Sequence, residues 1–331
     1  MGSLNTASRV RVDCHLTSDE PGSLADDVLD GLTRPFKELP PKHRYDPRGS
    51  ELFDQICELP EYYPTRTERA ILTATAEAIV NRTGMAELVE LGSGSAAKTR
   101  VLLDAMSRAG TLRRYVPFDV AEQVVRDCAA RLADAYPALL VHGIVGDFDR
   151  HLPEIPAPDS RYPRVVAFLG GTIGNFPPGA RRRILRSIAA LLGPADHLLL
   201  GTDLVKDVDV VEAAYNDRTG VTAAFNRNVL AVLNRELGAD FPTEHFEHVA
   251  FFDPEREWME MRLRARRACD VHIAAVDLHI RFERGEELRT EISAKFTPAR
   301  LTSDYAAAGL ELAEWFTDEH GLFALSLASP R

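Results

Sequence analysis

A glycine-rich segment in the first third of the chain has the residue types of a cofactor-binding loop. It reads Glu90-Leu-Gly92-Ser-Gly94-Ser95 and follows a short apolar run. Glycines between a strand and a helix let the backbone turn tightly and approach a ligand, and the helix N-terminus behind them attracts negative groups. Dinucleotides and S-adenosylmethionine (SAM) both bind such loops, and the relaxed dinucleotide pattern permits Ala97 at its last position. Spacing alone therefore leaves both cofactors open.

Acidic residues at three predicted strand ends favour SAM. Glu90 precedes the loop, where a carboxylate would repel a pyrophosphate but attract the ammonium and sulfonium groups of SAM. Asp119 ends the second strand, where its carboxylate can accept hydrogen bonds from ribose hydroxyls. Asp147 and Phe148 end the third strand, where the acid can meet the adenine amino group and the ring can stack on adenine. Because parallel strands end at one edge of their sheet, we expect these residues around one cofactor.

A second glycine-rich turn, Gly170 to Asn175, follows the fourth predicted strand. That strand is expected beside the first, at the switch point where such sheets bind ligands. Asn175 offers both a donor and an acceptor to a ligand. An ordinary turn with Asn175 in the left-handed conformation would have the same sequence, so both interpretations stay open.

Two polar residues near the C-terminus share one face of a predicted strand. Glu291 and Ser293 are two residues apart, whereas Ile292 and Ala294 lie on the opposite face. The carboxylate can accept hydrogen bonds from a ligand, and the hydroxyl can donate or accept one. A solvent-facing strand would show the same alternation, so a polar ligand site and an ordinary strand both stay open.

The elements that must position these residues alternate between strand and helix. Predicted strands cover 88–91, 115–118, 139–145, 165–169 and 197–201, and predicted helices cover 96–108, 121–136 and 181–192. The alternation of strand and helix resumes after residue 298, with a predicted helix at 299–308 and predicted strands near 310–316 and 322–327. Short apolar strands separated by helices indicate a parallel sheet covered on both faces. We therefore predict an α/β, Rossmann-like fold.

The alternation is interrupted between 206 and 295. Residues 206–250 look helical, and an antiparallel, period-2 pattern follows from Trp258 onward. The first 66 residues also read as a separate unit, with helices predicted at 26–31, at 51–58 behind a Ser50 cap, and at 68–81 after Thr67. We predict one domain of 67–205 and 296–331, and a second of 1–66 and 206–295.

Composition restricts the class of protein. The 331 residues are 45% hydrophobic and 27% charged, an ordinary globular mix long enough for two domains. A net charge of -11 argues against nucleic acid as a partner. No apolar run suits a membrane helix or a signal peptide, and four widely spaced cysteines favour a reducing cytoplasm. His245 and His248 are three apart, as metal ligands on a helix can be, but they lack an evident third ligand, so no metal is expected.

Several segments together resemble a known family. The specific ones are Leu59-Pro-Glu-Tyr-Tyr-Pro-Thr-Arg-Thr-Glu68, the Glu90–Gly94 loop, Phe168-Leu-Gly-Gly-Thr-Ile-Gly-Asn175, Gly201-Thr-Asp-Leu-Val-Lys-Asp207 and Val221-Thr-Ala-Ala-Phe-Asn-Arg-Asn-Val-Leu230. From about residue 27 to residue 327 the chain is similar to the SAM-dependent histidine Nα-methyltransferases of actinobacterial ergothioneine biosynthesis. The resemblance implies a class I SAM-dependent methyltransferase domain with an inserted α+β substrate-binding domain. It also implies trimethylation of the α-amino group of free L-histidine to hercynine (EC 2.1.1.44), the first step of that biosynthesis.

The resemblance further implies roles for single residues. Contacts to SAM fall on Gly92, Lys98, Asp119 and Asp147, beside Phe148. The amino-acid end of histidine falls to Tyr62, Asn175 and Tyr215, its imidazole to Tyr45, Glu291 and Ser293, and the pocket walls to Phe53, Gly170, Thr172 and Met261. A monomer without metal is expected. Gly171 stands where the family is expected to carry serine, a conservative change in a turn.

Two other functions are compatible with the same fold. An NAD-linked oxidoreductase would use the glycine loop for a dinucleotide, but no hydride-site histidine or Lys–Tyr pair is evident. A methyltransferase-like protein that binds ligands without turnover would carry the same motifs. Labelled SAM and a panel of amino acids would separate all three.

Overall fold

The structure is a computed structural model that describes residues 9–16 and 23–331. It divides into two compact units. The first consists of Met1–Thr17, Arg66–Leu204 and Phe296–Arg331, and the second of Ser18–Thr65 and Val205–Lys295. Each unit is therefore assembled from separate stretches of the chain.

Strands and helices are numbered here in chain order over the described residues. The strands are β1 (Val10–Cys14), β2 (Lys37–Glu38), β3 (Glu87–Leu91), β4 (Arg114–Asp119), β5 (Leu140–Val145), β6 (Arg164–Phe168), β7 (His197–Asp203), β8 (Phe246–Asp253), β9 (Trp258–Ala265), β10 (Cys269–Ile273), β11 (Leu278–Phe282), β12 (Glu287–Ala294), β13 (Leu310–Thr317) and β14 (Phe323–Pro330). The helices are α1 (Leu24–Leu32), α2 (Pro47–Cys57), α3 (Tyr63–Thr83), α4 (Arg100–Arg108), α5 (Glu122–Ala135), α6 (Pro178–Ala189), α7 (Val208–Tyr215), α8 (Val221–Leu237) and α9 (Pro298–Ala307).

The first unit is built on an eight-stranded sheet with the order β1-β5-β4-β3-β6-β7-β14-β13. Neighbours from β1 to β7 are parallel, and β14 pairs antiparallel with both β7 and β13. Every residue of β3 and β6 is buried, as expected for parallel strands covered on both faces. The predicted α/β, Rossmann-like fold is confirmed.

The N-terminal strand β1 was not predicted. It pairs parallel with β5, with Val10 opposite Val141 and Cys14 opposite Val145. The predicted second domain includes all of residues 1–66, whereas this pairing puts β1 in the sheet of the first unit. The strand has only five residues and its partner lies far along the chain, so local sequence gives little sign of it.

The second unit contains a four-stranded sheet with the order β2-β12-β9-β8 and a two-stranded sheet of β10 and β11. Its core packs helix α8 against these strands through side chains that include Leu230, Leu233, Phe246, Leu263 and Phe282. Strand β8 corrects the helical interpretation of 206–250. It pairs antiparallel with β9 along its whole length, and tertiary pairing of this kind overrides local propensity.

Two helices begin earlier than the sequence analysis predicted. Helix α2 starts at Pro47, because Asp46 rather than Ser50 caps it and accepts a hydrogen bond from the Gly49 amide at 2.8 Å. Helix α3 starts at Tyr63 rather than after Thr67, since a proline such as Pro64 is tolerated in the first turn. None of the described helices is long and apolar enough to cross a membrane.

Candidate functional site

The glycine-rich loop leaves β3 at the point where β4 and β6 flank that strand on either side. Gly92 and Gly94 have φ angles of 70° and 48°, in the left-handed region that favours glycine. The amides of Gly92 and Ser93 both donate to the carbonyl oxygen of Phe118, at 2.8 and 3.1 Å. A Cβ atom at Gly92 would lie 3.5 Å from the ring of Phe148. The loop is therefore folded tightly against the end of β4, at the ligand-binding edge of such sheets.

Asp119 fixes the other side of this loop. Its carboxylate accepts hydrogen bonds from the amides of Gly94 at 2.9 Å and Ala121 at 3.1 Å. Burial raises the pKa of Asp119, and the backbone donors Gly94, Ala121 and Val120 oppose that rise. A carboxylate has about four acceptor positions, so this one can also accept from the vicinal hydroxyls of a ribose.

Asp147 and Phe148 follow β5 at the same edge. The Asp147 carboxylate is oriented by the amide of Asp149 at 2.9 Å, and its own amide donates to Nδ1 of His151 at 3.0 Å. The Phe148 ring stacks on Phe118 with centroids 5.5 Å apart, and it lies 5.3 Å from the Phe168 ring. Phe118 and Phe168 are fully buried, so Phe148, which is half-buried, is the ring of this group that can contact a purine.

Glu90 has structural partners that the sequence did not reveal. Its carboxylate accepts from the hydroxyls of Thr99 and Tyr115, so it ties the loop to the start of α4 and to β4. Burial is the largest cause that raises the pKa of Glu90, to about 7, while the bonds from Thr99 and Tyr115 lower it. The acid chosen from sequence as a sign of SAM therefore also anchors the loop.

Lys98 belongs to a buried network centred on Glu68. The ammonium of Lys98 pairs with one carboxylate oxygen of Glu68, and the other oxygen accepts the amide of Gly170 at 2.7 Å. Glu68 is fully buried, and a Cβ atom at Gly201 would lie only 2.2 Å from it. Position 201 must consequently be glycine for the Glu68 side chain to reach both partners.

The turn after β6 contains the other predicted residues of the first unit. Gly170 and Gly171 have φ angles of 78° and 69°, and a short helical turn, Thr172–Asn175, follows them. The φ of Gly171 explains why glycine is well suited where the family is expected to carry serine. The Thr172 hydroxyl donates to the Leu169 carbonyl at 3.1 Å, and Asn175 is half-buried. The turn thereby holds Asn175 just beyond the end of β6.

In the second unit, Ser293 lies in a buried polar cluster with Tyr215 and Lys295. The Tyr215 hydroxyl donates to Ser293 Oγ at 2.8 Å. The Lys295 ammonium donates to Ser293 Oγ at 2.9 Å and to the Tyr215 hydroxyl at 3.0 Å. Lys295 is fully buried. Each of the three side chains therefore contacts the other two.

Glu291 lies two residues before Ser293 and is paired with Arg44. Arg44 is only 1% exposed, and its guanidinium also lies over the Phe225 ring, 4.7 Å from the centroid. Met261 stands directly opposite Glu291 on β9, so the two side chains share one face of the sheet. Met261 is buried there.

Aromatic rings surround this polar face. Tyr45 lies 5.5 Å from both Phe53 and Phe225, Phe53 lies 6.2 Å from Tyr62, and Tyr62 lies 6.5 Å from Tyr215, centroid to centroid. Burial raises the pKa of Tyr62 well above its usual value, so its phenol stays protonated and donates at neutral pH. A set of aromatic rings like this one can pack against the ring of a ligand and can also lie against a positively charged group.

The structure sorts the predicted residues into two groups, one in each unit. Gly92, Lys98, Asp119, Asp147, Phe148, Gly170, Thr172 and Asn175 lie in the first unit, and Tyr45, Phe53, Tyr62, Tyr215, Met261, Glu291 and Ser293 lie in the second. Four partners had no predicted role, namely Arg44, Glu68, Phe225 and Lys295. Lys295 continues the two-residue spacing of Glu291 and Ser293, which is a signal that the sequence did offer.

The histidine pair considered as metal ligands has other partners. His248 lies in strand β8 and not on a helix, so the spacing argument for it does not apply. Its Nδ1 lies 2.9 Å from the side-chain Nδ2 of Asn226, and its Nε2 lies 2.9 Å from the backbone carbonyl oxygen of Tyr215. Elsewhere in the described residues, His272, Asp277 and His279 have ligand atoms within 4.8 Å of one another, on the β10–β11 hairpin.

The sheet order and the glycine loop define the first unit as a class I SAM-dependent methyltransferase fold. The chain belongs to the family of histidine-specific, SAM-dependent methyltransferases, which it matches over residues 24–330. The family expected from the motifs is thereby confirmed.

Relatives agree with that assignment. The chain is 52% identical to a histidine N-alpha-methyltransferase of Mycolicibacterium smegmatis, over 92% of this chain and 94% of that protein. It is 50% identical to a histidine N-alpha-methyltransferase of Mycobacterium tuberculosis, over 97% of this chain and 99% of that protein. It is 30% identical to ergothioneine biosynthesis protein 1 of Neurospora crassa, over 88% of this chain but 33% of that longer protein.

Proposed function

We propose that this chain transfers methyl groups from SAM to the α-amino group of free L-histidine, three times in succession, to give hercynine. The observation that carries the proposal is the polar face of β12. Ser293 is buried and Glu291 half-buried there, each is held by its own partners, and aromatic rings that can pack against an imidazole lie beside them. The names of the mycobacterial relatives support the same substrate.

The residues of the first unit are assigned to SAM. Asp119 would accept the ribose hydroxyls, Asp147 the adenine amino group, and Phe148 would contact the purine, while Gly92 and Lys98 would border the amino-acid part. SAM supplies a methyl group made electrophilic by its sulfonium, and no metal is needed for that chemistry. This chain's contribution is to orient an unprotonated amine in line with the methyl group, because alignment lowers the barrier to transfer.

The histidine is assigned contacts at both of its ends. The amino-acid group is assigned to Asn175, Tyr62 and Tyr215, and the imidazole to Tyr45, Glu291 and Ser293. The family resemblance assigns the pocket walls to Phe53, Met261, Gly170 and Thr172. A proton must leave the ammonium before the first transfer, and again after each of the first two. The trimethylated product is a permanent cation, which tyrosine faces tolerate well.

Labelled SAM and a panel of free amino acids test the proposal directly. We expect label to enter histidine alone, with up to three methyl groups detected by mass spectrometry, and a chelator should leave the rate unchanged. Transfer to another amino acid in preference to histidine would contradict the substrate assignment. Binding of SAM and histidine without any transfer would instead indicate a binding protein, and cofactor reduction would indicate an oxidoreductase.

A further inference from the structure

Lys295 is a fully buried lysine for which the proposed function has no role. Its ammonium is 2.9 Å from Ser293 Oγ and 3.0 Å from the Tyr215 hydroxyl, and it lies 4.6 Å from the centroid of the Tyr215 ring. A buried charge is costly to retain unless its contacts are useful. An apolar side chain of similar length would fill the same space without that cost.

The Ser293 hydroxyl oxygen accepts a hydrogen bond from each of its two partners. A serine hydroxyl has two acceptor positions and one hydrogen to donate. Tyr215 donates to Ser293 Oγ, and Lys295 donates to the same oxygen, so both acceptor positions are filled. As an ammonium, lysine has only donors, so in that form its bond cannot reverse. The hydrogen of Ser293 is therefore the only hydrogen-bonding capacity that it can offer a ligand.

We propose that Lys295 is a positioning residue that makes Ser293 an obligate donor, so that the site accepts neutral imidazole and rejects imidazolium. This inference rests on the proposed function, in which the imidazole lies between Glu291 and Ser293. Neutral imidazole carries one N–H, which Glu291 can accept, and one lone pair, which Ser293 can meet with its hydrogen. Imidazolium carries two N–H groups and would direct one of them at the Ser293 hydrogen.

Other charged or titratable groups face this cluster from each neighbouring element. They are Glu291 on β12, Arg44 at the end of the short helical turn Pro41–Arg44, Tyr45 directly after that turn, Cys57 on α2, Tyr62, and His248 on β8. Glu291 would favour imidazolium, but Arg44 already offsets its charge. Burial lowers the pKa of His248, which accepts from Asn226 and donates to the Tyr215 carbonyl, so it stays neutral near pH 7.

The test compares histidine with triazolylalanine, an analogue whose ring keeps one N–H and a lone pair but stays neutral in mild acid. Affinities would be measured by calorimetry on the full chain with S-adenosylhomocysteine present, between about pH 5.5 and pH 7.5. The ratio of the two affinities isolates protonation of the ligand ring, because both ligands share the amino-acid end. For the wild type we expect histidine to lose affinity relative to triazolylalanine by about tenfold for each pH unit below about 6.5.

Two variants open an acceptor position on Ser293 in different ways. Lys295→Met removes the lysine donor and its charge, and Tyr215→Phe removes the tyrosine donor and leaves the lysine charge in place. In both, Ser293 can turn and accept from imidazolium, so the affinity ratio should become nearly independent of pH. Ser293→Ala is the control, and it should weaken both ligands without the tenfold dependence.

The outcomes separate hydrogen-bond direction from charge and from a failure of the proposed function. If the ratio of histidine to triazolylalanine affinity still changes steeply with pH in Tyr215→Phe, the proposal is overturned. This holds even if the pH dependence disappears in Lys295→Met, because the charge of the lysine alone would then explain the effect. A wild-type ratio that does not change with pH would overturn it as well. If Lys295→Met does not fold, Tyr215→Phe decides. Absence of histidine methylation by the wild type would instead refute the proposed function.

Discussion

The carboxylate of Glu291 is paired with the guanidinium of Arg44, a side chain that is almost completely buried. The pair links strand β12 to the short helical turn Pro41–Arg44, which precedes α2. Removing one partner of a buried pair leaves an uncompensated charge, which costs about 3–5 kcal/mol. Glu291 therefore contributes to stability as well as to the proposed imidazole site, and tests of its function must separate the two.

Replacing Glu291 by alanine should change amino-acid selectivity. Histidine loses the acceptor for its ring N–H, so histidine turnover should fall, and discrimination against larger aromatic amino acids should shrink. A smaller side chain at Met261 in the same background should help a bulkier ring enter, because Met261 stands opposite Glu291. The measurement is methylation of histidine, phenylalanine and tryptophan by the wild type and both variants, on protein shown to be folded at the assay temperature. Full histidine activity and an unchanged ranking in Glu291→Ala would show that the imidazole site is wrongly assigned.

Asp119→Ala should weaken SAM at least tenfold. Two hydrogen bonds to a charged acceptor are lost, each worth roughly 1.5–3 kcal/mol. Because Asp119 also holds the amides of Gly94 and Ala121, the loop should loosen as well. Calorimetry with SAM measures the effect, and Asp127→Ala, at an exposed position on α5, is the matched control. Equal SAM affinity in the two variants would refute the assigned site.

Asn175→Ala should weaken free histidine and leave SAM affinity nearly unaltered. The reason is that Asn175 is assigned to the amino-acid group of the substrate alone. For the same reason, histidinamide and peptide-embedded histidine should be poor substrates for the wild type. Efficient methylation of an N-acetylated or internal histidine would rule out recognition of the free amino-acid end.

Glu90→Gln should stabilise the protein at alkaline pH. Folding raises the pKa of Glu90 from 4.5 to about 7, so the folded protein holds a proton that the unfolded chain has released. Stability of the wild type therefore falls as pH rises between these values. The amide can still bond Thr99 and Tyr115, so the variant should gain about 1–3 kcal/mol at about pH 8 and much less at about pH 5.

Thermal unfolding of wild type and Glu90→Gln at both pH values checks this prediction. Glu311→Gln, at an exposed position on β13, is the control and should show no such difference. An equal shift at both pH values would mean that Glu90 is ionised in the folded protein throughout the range.

Gly201→Ala should disrupt the Glu68 network. The added Cβ would lie 2.2 Å from Glu68 Oε1, so Glu68 must leave Lys98 or the Gly170 amide. We expect a loss of about 1–3 kcal/mol in unfolding free energy. Gly179→Ala, where the nearest atom is 3.9 Å away within helix α6, should be neutral or stabilising. Equal unfolding temperatures for the two variants would contradict the close approach.

The parallel sheet was predictable because its inner strands are continuous apolar runs, and burial on both faces leaves that pattern in the sequence. β1 and β8 were missed for the opposite reason. Both are short or partly exposed strands defined by partners elsewhere in the chain, Val141 to Val145 for one and β9 for the other. The early start of α2 depends on Asp46 and Pro47 acting together, and the same turn residues read equally well as a loop.

The candidate site shows the same division. Glu291 and Ser293 could be placed on one face from their spacing, since strand periodicity is local. Arg44 could not be assigned to Glu291, because 247 positions separate them and nothing nearby indicates the pairing. The same two-residue spacing would also have placed Lys295 on the face of Glu291 and Ser293. A lysine is expected at the surface, however, because buried lysines are uncommon.

Leu204 and Phe296 lie side by side in an isolated parallel bridge, and the Phe296 amide donates to the Asp203 carbonyl at 2.8 Å. The stretch between them, residues 205–295, thus leaves the first unit and returns to it at neighbouring positions. Exit and return points that lie side by side are suited to recombination between relatives. Segment 205–295 could be exchanged there only together with residues 23–65, which supply Arg44 to Glu291 and strand β2 to β12, while the strand register of β7 and β14 is left as it is.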